Sequence, residues 1–108
     1  MLINKKCKPC EGGIPALIKK EIDKYMKELK AGWKVINNNK IVKEYFFVNF
    51  KHTMDFVNKV AHIADQEGHH PVMHVDYGKV KIELWTHAIN GLSENDFILA
   101  AKIDNILE

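Results

Sequence analysis

A chain of 108 residues has room for one domain, and a net charge of +2 at pH 7 does not call for a nucleic-acid partner. Apolar residues at 46% and charged residues at 28% are the proportions of a globular protein, not a disordered or fibrous one. No apolar run is long enough to cross a bilayer, and the polar stretch from Met1 to Cys10 lacks the apolar centre of a secretion signal. A cytoplasmic protein with no membrane partner is expected.

Residues 1–14 read as an N-terminal arm, lysine-rich and broken by Pro9 and Gly12-Gly13, ahead of a single domain over 15–108. Pro15 suits a first helical turn, and Ile18, Ile22, Tyr25, Met26 and Leu29 then form one apolar stripe on a charged helix that Gly32 ends. Lys19, Lys20, Lys24, Lys27 and Lys30 are its solvated side. Trp33 to Ile36 is a short strand and Ile41 to Phe50 a longer one, rich in β-branched and aromatic residues. The asparagines 37–39 turn between them, because Asn tolerates positive φ.

Thr53 is the expected N-cap of a second helix, whose face is Phe56, Val57, Val60, Ala61 and Ala64 and whose stop is Gly68. A second hairpin follows, Val72 to Tyr77 and Lys79 to Thr86, turning at Gly78. In its second strand Val80, Ile82 and Leu84 share one face; Lys79, Lys81, Glu83 and Trp85 share the other. Ser93 with Asp96 three residues on resembles a capping box opening a third helix. That helix is apolar nearly all round, from Phe97 to Leu107, so a partner chain is expected to cover part of it. The fold class is α+β: a four-stranded antiparallel sheet with three helices on one face, in the order α-β-β-α-β-β-α.

Six histidines are present: His52, His62, His69, His70, His74 and His87. Imidazole is the side chain whose ordinary pKa lies near neutrality, so histidines gathered in a cleft point to proton transfer. Hairpin strands run in opposite senses, so the start of the third strand lies beside the end of the fourth. This brings His69, His70 and His87 to one end of the sheet. Pro71 pushes His70 toward an extended backbone, so His69 and His70 point to opposite sides. One is then suited to chemistry and the other to holding a substrate. The plainer reading of a histidine at a helix end is a cap on the last carbonyls. His52, His62 and His74 have weaker claims.

Three histidines would suit a catalytic zinc in number, but adjacent His-His is poor geometry for one ion and no His-Glu-x-x-His helix is present. Cys7-x-x-Cys10 supplies two of the four ligands of a structural zinc and lacks the βαβ setting of a redox pair. No metal or bound cofactor is expected. Asp65, one turn before His69, is placed to orient an imidazole, or is a solvated helix carboxylate. Asp96 has its capping role as an alternative, and Trp33 is either core or a flat wall for an aromatic ligand. Trp85, at a strand end, is expected to pack at an interface.

The stretch Asp65-Gln66-Glu67-Gly68-His69-His70-Pro71, then Tyr77-Gly78-Lys79-Val80, Leu84-Trp85-Thr86-His87, Gly91-Leu92-Ser93-Glu94-Asn95-Asp96 and Ala100-Ala101-Lys102-Ile103-Asp104 resembles the pterin-4a-carbinolamine dehydratases, also called dimerisation cofactors of a homeodomain transcription factor. The likeness runs through about residues 61–105, extends more loosely to Gly32-Trp33 and the second helix, and includes a Cys-x-x-Cys arm like that of microbial members. It implies an α+β subunit assembled as a homodimer or homotetramer. It also implies a pterin site with His69, His70 and His87 as catalytic residues and Asp65, Trp33, Thr86 and Asp96 around the substrate. Asp65 departs from the longer Glu of many relatives. The implied reaction is loss of water from a 4a-hydroxytetrahydropterin in tetrahydropterin recycling, with an aromatic amino-acid hydroxylase as pathway partner. The resemblance leaves two other functions open: a non-enzymatic binding module that assists protein dimerisation, and a lyase acting on another pterin-related substrate.

Overall fold

The computed structural model describes residues 1–9, 12 and 14–107. Helix α1 spans Lys19–Met26, strands β1 and β2 span Lys34–Ile36 and Lys40–Phe46, and α2 runs from Phe50 to Glu67. Strands β3 (Val72–Val75) and β4 (Lys79–Leu84) follow, and α3 (Glu94–Asn105) closes the order. The strands form one antiparallel sheet in the order β1-β2-β4-β3. The expected α+β class and element order are what the molecule has.

Pairing of Ile41 with Leu84, Lys43 with Ile82 and Tyr45 with Val80 puts these six side chains on one face. Ile41, Val80, Ile82 and Leu84 are fully buried there beneath Phe97, Ile98, Leu99 and Ile103 of α3. Helix α3 is therefore covered within its own chain, by the sheet, α1, α2 and the helical turn at Leu2–Asn4. The cover expected in part from a partner chain comes from within the chain, and the arm read over residues 1–14 contributes to it, with Leu2 and Cys7 buried against the core. Cys10 lies outside the described residues. No described helix is long and apolar enough to cross a membrane.

Several boundaries differ from the sequence reading. Helix α1 begins at Lys19, because Leu17 N–H bonds the Leu92 carbonyl at 2.9 Å and holds the preceding segment extended. The Glu21 carboxylate then accepts Ile18 N–H at 3.1 Å. Strand β2 stops at Phe46, and α2 starts at Phe50, with Asn49 as its N-cap accepting from His52 N–H at 2.9 Å. Thr53 is no cap. It is fully buried one turn inside α2, where its hydroxyl lies 2.9 Å from the Asn49 carbonyl and 2.8 Å from that of Tyr77. This ties the helix to the β3–β4 turn. That turn needs glycine: a Cβ on Gly78 would stand 2.7 Å from the Phe47 carbonyl oxygen. Asn37 and Asn38 have φ of 51° and 55°, the mirror-image turn that suits the twist of a hairpin.

Candidate active site

Helix α2 ends where Gly68 adopts φ 65° and its N–H turns back to Ala64 and Asp65. This left-handed residue throws His69 and His70 off the helix axis beside the start of β3. Register pairs Val72 with Glu83, so the start of β3 does lie beside the end of β4. Beyond β4, Thr86 and Gly91 bridge across a short loop whose single helical turn is His87–Ile89. The two segments enclose a cleft of about 330 Å³. His69, His70, Trp85, Thr86 and His87 line it, with Gly68 and Ala88 between them and Lys8 and Asn95 at its side.

The three expected histidines thus meet, and each is held differently. His69 Nε2 lies 2.6 Å from Asp96 Oδ1, with the imidazole mostly buried and the carboxylate fully so. The other oxygen of Asp96 accepts the Thr86 hydroxyl at 2.9 Å and Ser93 N–H at 2.9 Å. Thr86 and Ser93 hydroxyls are 2.7 Å apart. Asp96 therefore closes the helix cap and orients His69 at the same time. His70 points outward, its Nε2 2.9 Å from Asp65 Oδ1, and both side chains are exposed. Asp65 thus serves His70, not His69, because the Pro71-constrained pair diverge as expected. His87 stacks on Trp85, ring centroids 4.3 Å apart and planes 14° from parallel. Among the described residues, no three His, Cys, Asp or Glu side chains are grouped so as to hold a metal ion.

Trp33 is elsewhere. Its indole N–H donates to Asp104 Oδ2 at 2.8 Å inside the core, where Tyr45 hydroxyl and Lys43 ammonium reach Oδ1 at 2.6 and 2.7 Å. Burial, with Asp104 beside it, pushes the Tyr45 phenol far above its ordinary range. The flat wall of the cleft is Trp85 instead, which the sequence reading placed at an interface. Its position just past β4, two residues before His87, is the signal that could have marked it.

The arm was also underread. Asn95 clamps the Lys8 peptide from both sides, accepting its N–H at 2.9 Å and donating to its carbonyl at 2.6 Å. Glu67 accepts Cys7 N–H at 2.8 Å and pairs with Lys102 at 2.8 Å. Burial, reinforced by Glu67, pushes the Cys7 thiol up to about 12. A side chain in each neighbouring helix thus fixes the arm against the cleft.

Comparison with known proteins identifies the family. The sequence profile of pterin 4 alpha carbinolamine dehydratase matches residues 15–106. A Rickettsia canadensis protein provisionally named pterin-4-alpha-carbinolamine dehydratase is 54% identical over 105 residues, 97% of this chain and 96% of its own. A Nitrosomonas eutropha protein of the same name is 51% identical over 106 residues, 98% of this chain and 93% of its own. Among solved structures, a transcriptional coactivator/pterin dehydratase from Brucella melitensis superposes with TM-score 0.80 at 28% identity, covering 86% of this chain and 99% of that one. A pterin dehydratase-like protein described as a RuBisCO assembly factor in the alpha-carboxysome shares the fold, with TM-score 0.60 at 21% identity over 69% of this chain and 88% of that one. With its fold, its histidine cleft and a profile match over most of its length, the chain belongs to the pterin 4 alpha carbinolamine dehydratase family.

Proposed function

We propose that the chain dehydrates a 4a-hydroxytetrahydropterin to the quinonoid dihydropterin and water, by proton transfer to and from histidine, as a step of tetrahydropterin recycling in the cytoplasm. The supporting observation is the meeting of three imidazoles in one cleft, one of them backed by a fully buried carboxylate. Hydroxide is a poor leaving group. The oxygen on C4a must gain a proton as it departs, and N5 must lose one as the C=N bond closes. One imidazole gives and another takes, so the pair ends with one proton exchanged and no net redox change. Each well-placed group is worth ~10²–10⁴-fold in rate.

His69 and His87 carry these transfers in this reading. The Asp96 carboxylate fixes the His69 ring, and Trp85 holds the His87 ring flat. His70, turned outward with Asp65, holds the pterin, and Thr86 acts through Asp96. The test is the dehydration rate of chemically generated substrate, with chelator present, for wild type and His87→Ala. A wild-type acceleration that survives chelation and falls about 10²-fold or more in the variant supports the assignment. No acceleration over buffer overturns it in favour of a binding module. Loss in His70→Ala equal to that in His87→Ala, with KM unchanged, would reverse the roles.

Self-association belongs to the same reading. Phe46, Val48, Phe50, Val75 and Tyr77 are all exposed at the end of the sheet opposite the cleft. A homodimer or homotetramer would bury them. A monodisperse monomer in light scattering would sink this. An aromatic amino-acid hydroxylase is the proposed pathway partner, because it generates this kind of substrate.

A further inference from the structure

We infer that Lys8, carried on the arm, is a specificity-determining residue of the cleft, favouring pterins whose C6 substituent bears a negative charge. The inference rests on the dehydratase reading and deepens it. Lys8 lies on the arm, outside residues 15–106 that the family profile matches. It nevertheless lines the same cleft as His69, His70 and His87.

The placement is built. The Asn95 side chain grips the Lys8 peptide at both its N–H and its carbonyl, and the preceding peptide is held by Glu67. All these bonds are to main chain, so the Lys8 side chain is left for another purpose. It is exposed and has no ion-pair partner among the described residues. By contrast Lys5, Lys43 and Lys102 are each paired with a carboxylate. The described lining of the cleft carries one ammonium and three imidazoles and no carboxylate. Asp96 is buried behind His69 and Asp65 is taken by His70. An anion entering there meets the Lys8 side chain and, among the described lining residues, no carboxylate.

The pterin geometry gives that charge a target. The reacting atoms, C4a and N5, must face the imidazoles. C6 is bonded to N5, so its substituent leaves the ring beside the reacting edge. A flexible ammonium at the rim can follow a flexible tail. A carboxylate and a phosphate ester share this chemistry, and the two are separate arms of the test.

The experiment compares 4a-hydroxytetrahydropterins with a neutral, a carboxylate and a phosphate C6 substituent on wild type, Lys8→Met and Lys8→Arg. Unreactive dihydropterins with the same three substituents are titrated in parallel by Trp85 fluorescence, the other tryptophan being buried in the core. Wild type is expected to favour at least one anionic pterin about three- to fivefold in KM, an exposed-pair magnitude, and less in high salt. Lys8→Met should lose that preference and Lys8→Arg keep it. Equal preference in wild type and Lys8→Met, or none in wild type, overturns the inference while turnover leaves the dehydratase reading intact. Anion-selective binding lost in Lys8→Met without turnover keeps the inference about the cleft and rejects the dehydratase. Binding of no pterin rejects both.

Discussion

Replacing Asp96 by Asn tests the site at its most constrained atom. The fully buried carboxylate uses one oxygen for His69 at 2.6 Å and the other for the Thr86 hydroxyl and Ser93 N–H, both at 2.9 Å. Ser93 N–H can only donate, so the amide oxygen must take its side and the amide NH2 must face His69. His69 Nε2 then has to accept, which moves its proton to the other ring nitrogen and opposes any imidazolium with a donor. Both cap bonds survive. The cost in stability is confined to one charge-assisted bond, ~1–2 kcal/mol, or about 5–15 °C in Tm for a domain of this size. Catalysis loses one proton-transfer partner, so kcat is expected to fall ~10²–10⁴-fold with little change in KM. Stopped-flow absorbance of the dehydration and calorimetry on the same sample separate the two effects. A folded variant with kcat within about threefold of wild type would refute the role of His69.

Thr53→Val keeps the shape but removes the hydroxyl shared by the Asn49 and Tyr77 carbonyls. It should cost ~1–3 kcal/mol in urea unfolding and leave kcat unchanged, since it acts at the end of the sheet away from the cleft. Asp104→Ala strands the mostly buried Lys43 ammonium together with Trp33 N–H and the Tyr45 hydroxyl. About 3–5 kcal/mol should be lost in the same assay, with Lys43→Met restoring part of it. Acid should destabilise the fold through three carboxylates. Lys5 draws Glu94 down, Lys40 draws Glu83 down, and for Glu67 the Cys7 N–H and Lys102 outweigh the opposing effect of burial. Their folded values lie below the ordinary 4.5, so the stability they confer is complete above that pH and is lost as pH falls below it. A flat urea midpoint from pH 6 to 3 would contradict this.

The element order was legible because its signals are local: the stripe of α1, the Asn turn, Gly68 after α2, and Ser93 with Asp96. The gathering of His69, His70 and His87 followed from strand direction alone. What escaped were contacts made across the chain. Trp33 and Asp104 are 71 residues apart, and nothing near either marks a buried indole–carboxylate bond. Asn95 and Lys8 are 87 apart, and an Asn in the first turn of a helix reads as polar surface, not as a clamp on a distant peptide. The start of α2 was misjudged because Asn49 and Thr53 are both good caps, and burial beneath the Tyr77 carbonyl decides between them.

The burial of α3 also governs how the chain can be made. Phe97, Ile98, Leu99 and Ile103 fill the middle of the core, yet they are synthesised after every strand. Until they leave the ribosome, the apolar sheet face of Ile41, Val80, Ile82 and Leu84 lacks the cover of α3 and is only partly protected by α1 and α2. Folding must therefore wait for the last helix and then occur nearly in one step, and a nascent chain stalled before residue 94 is a natural client for a chaperone.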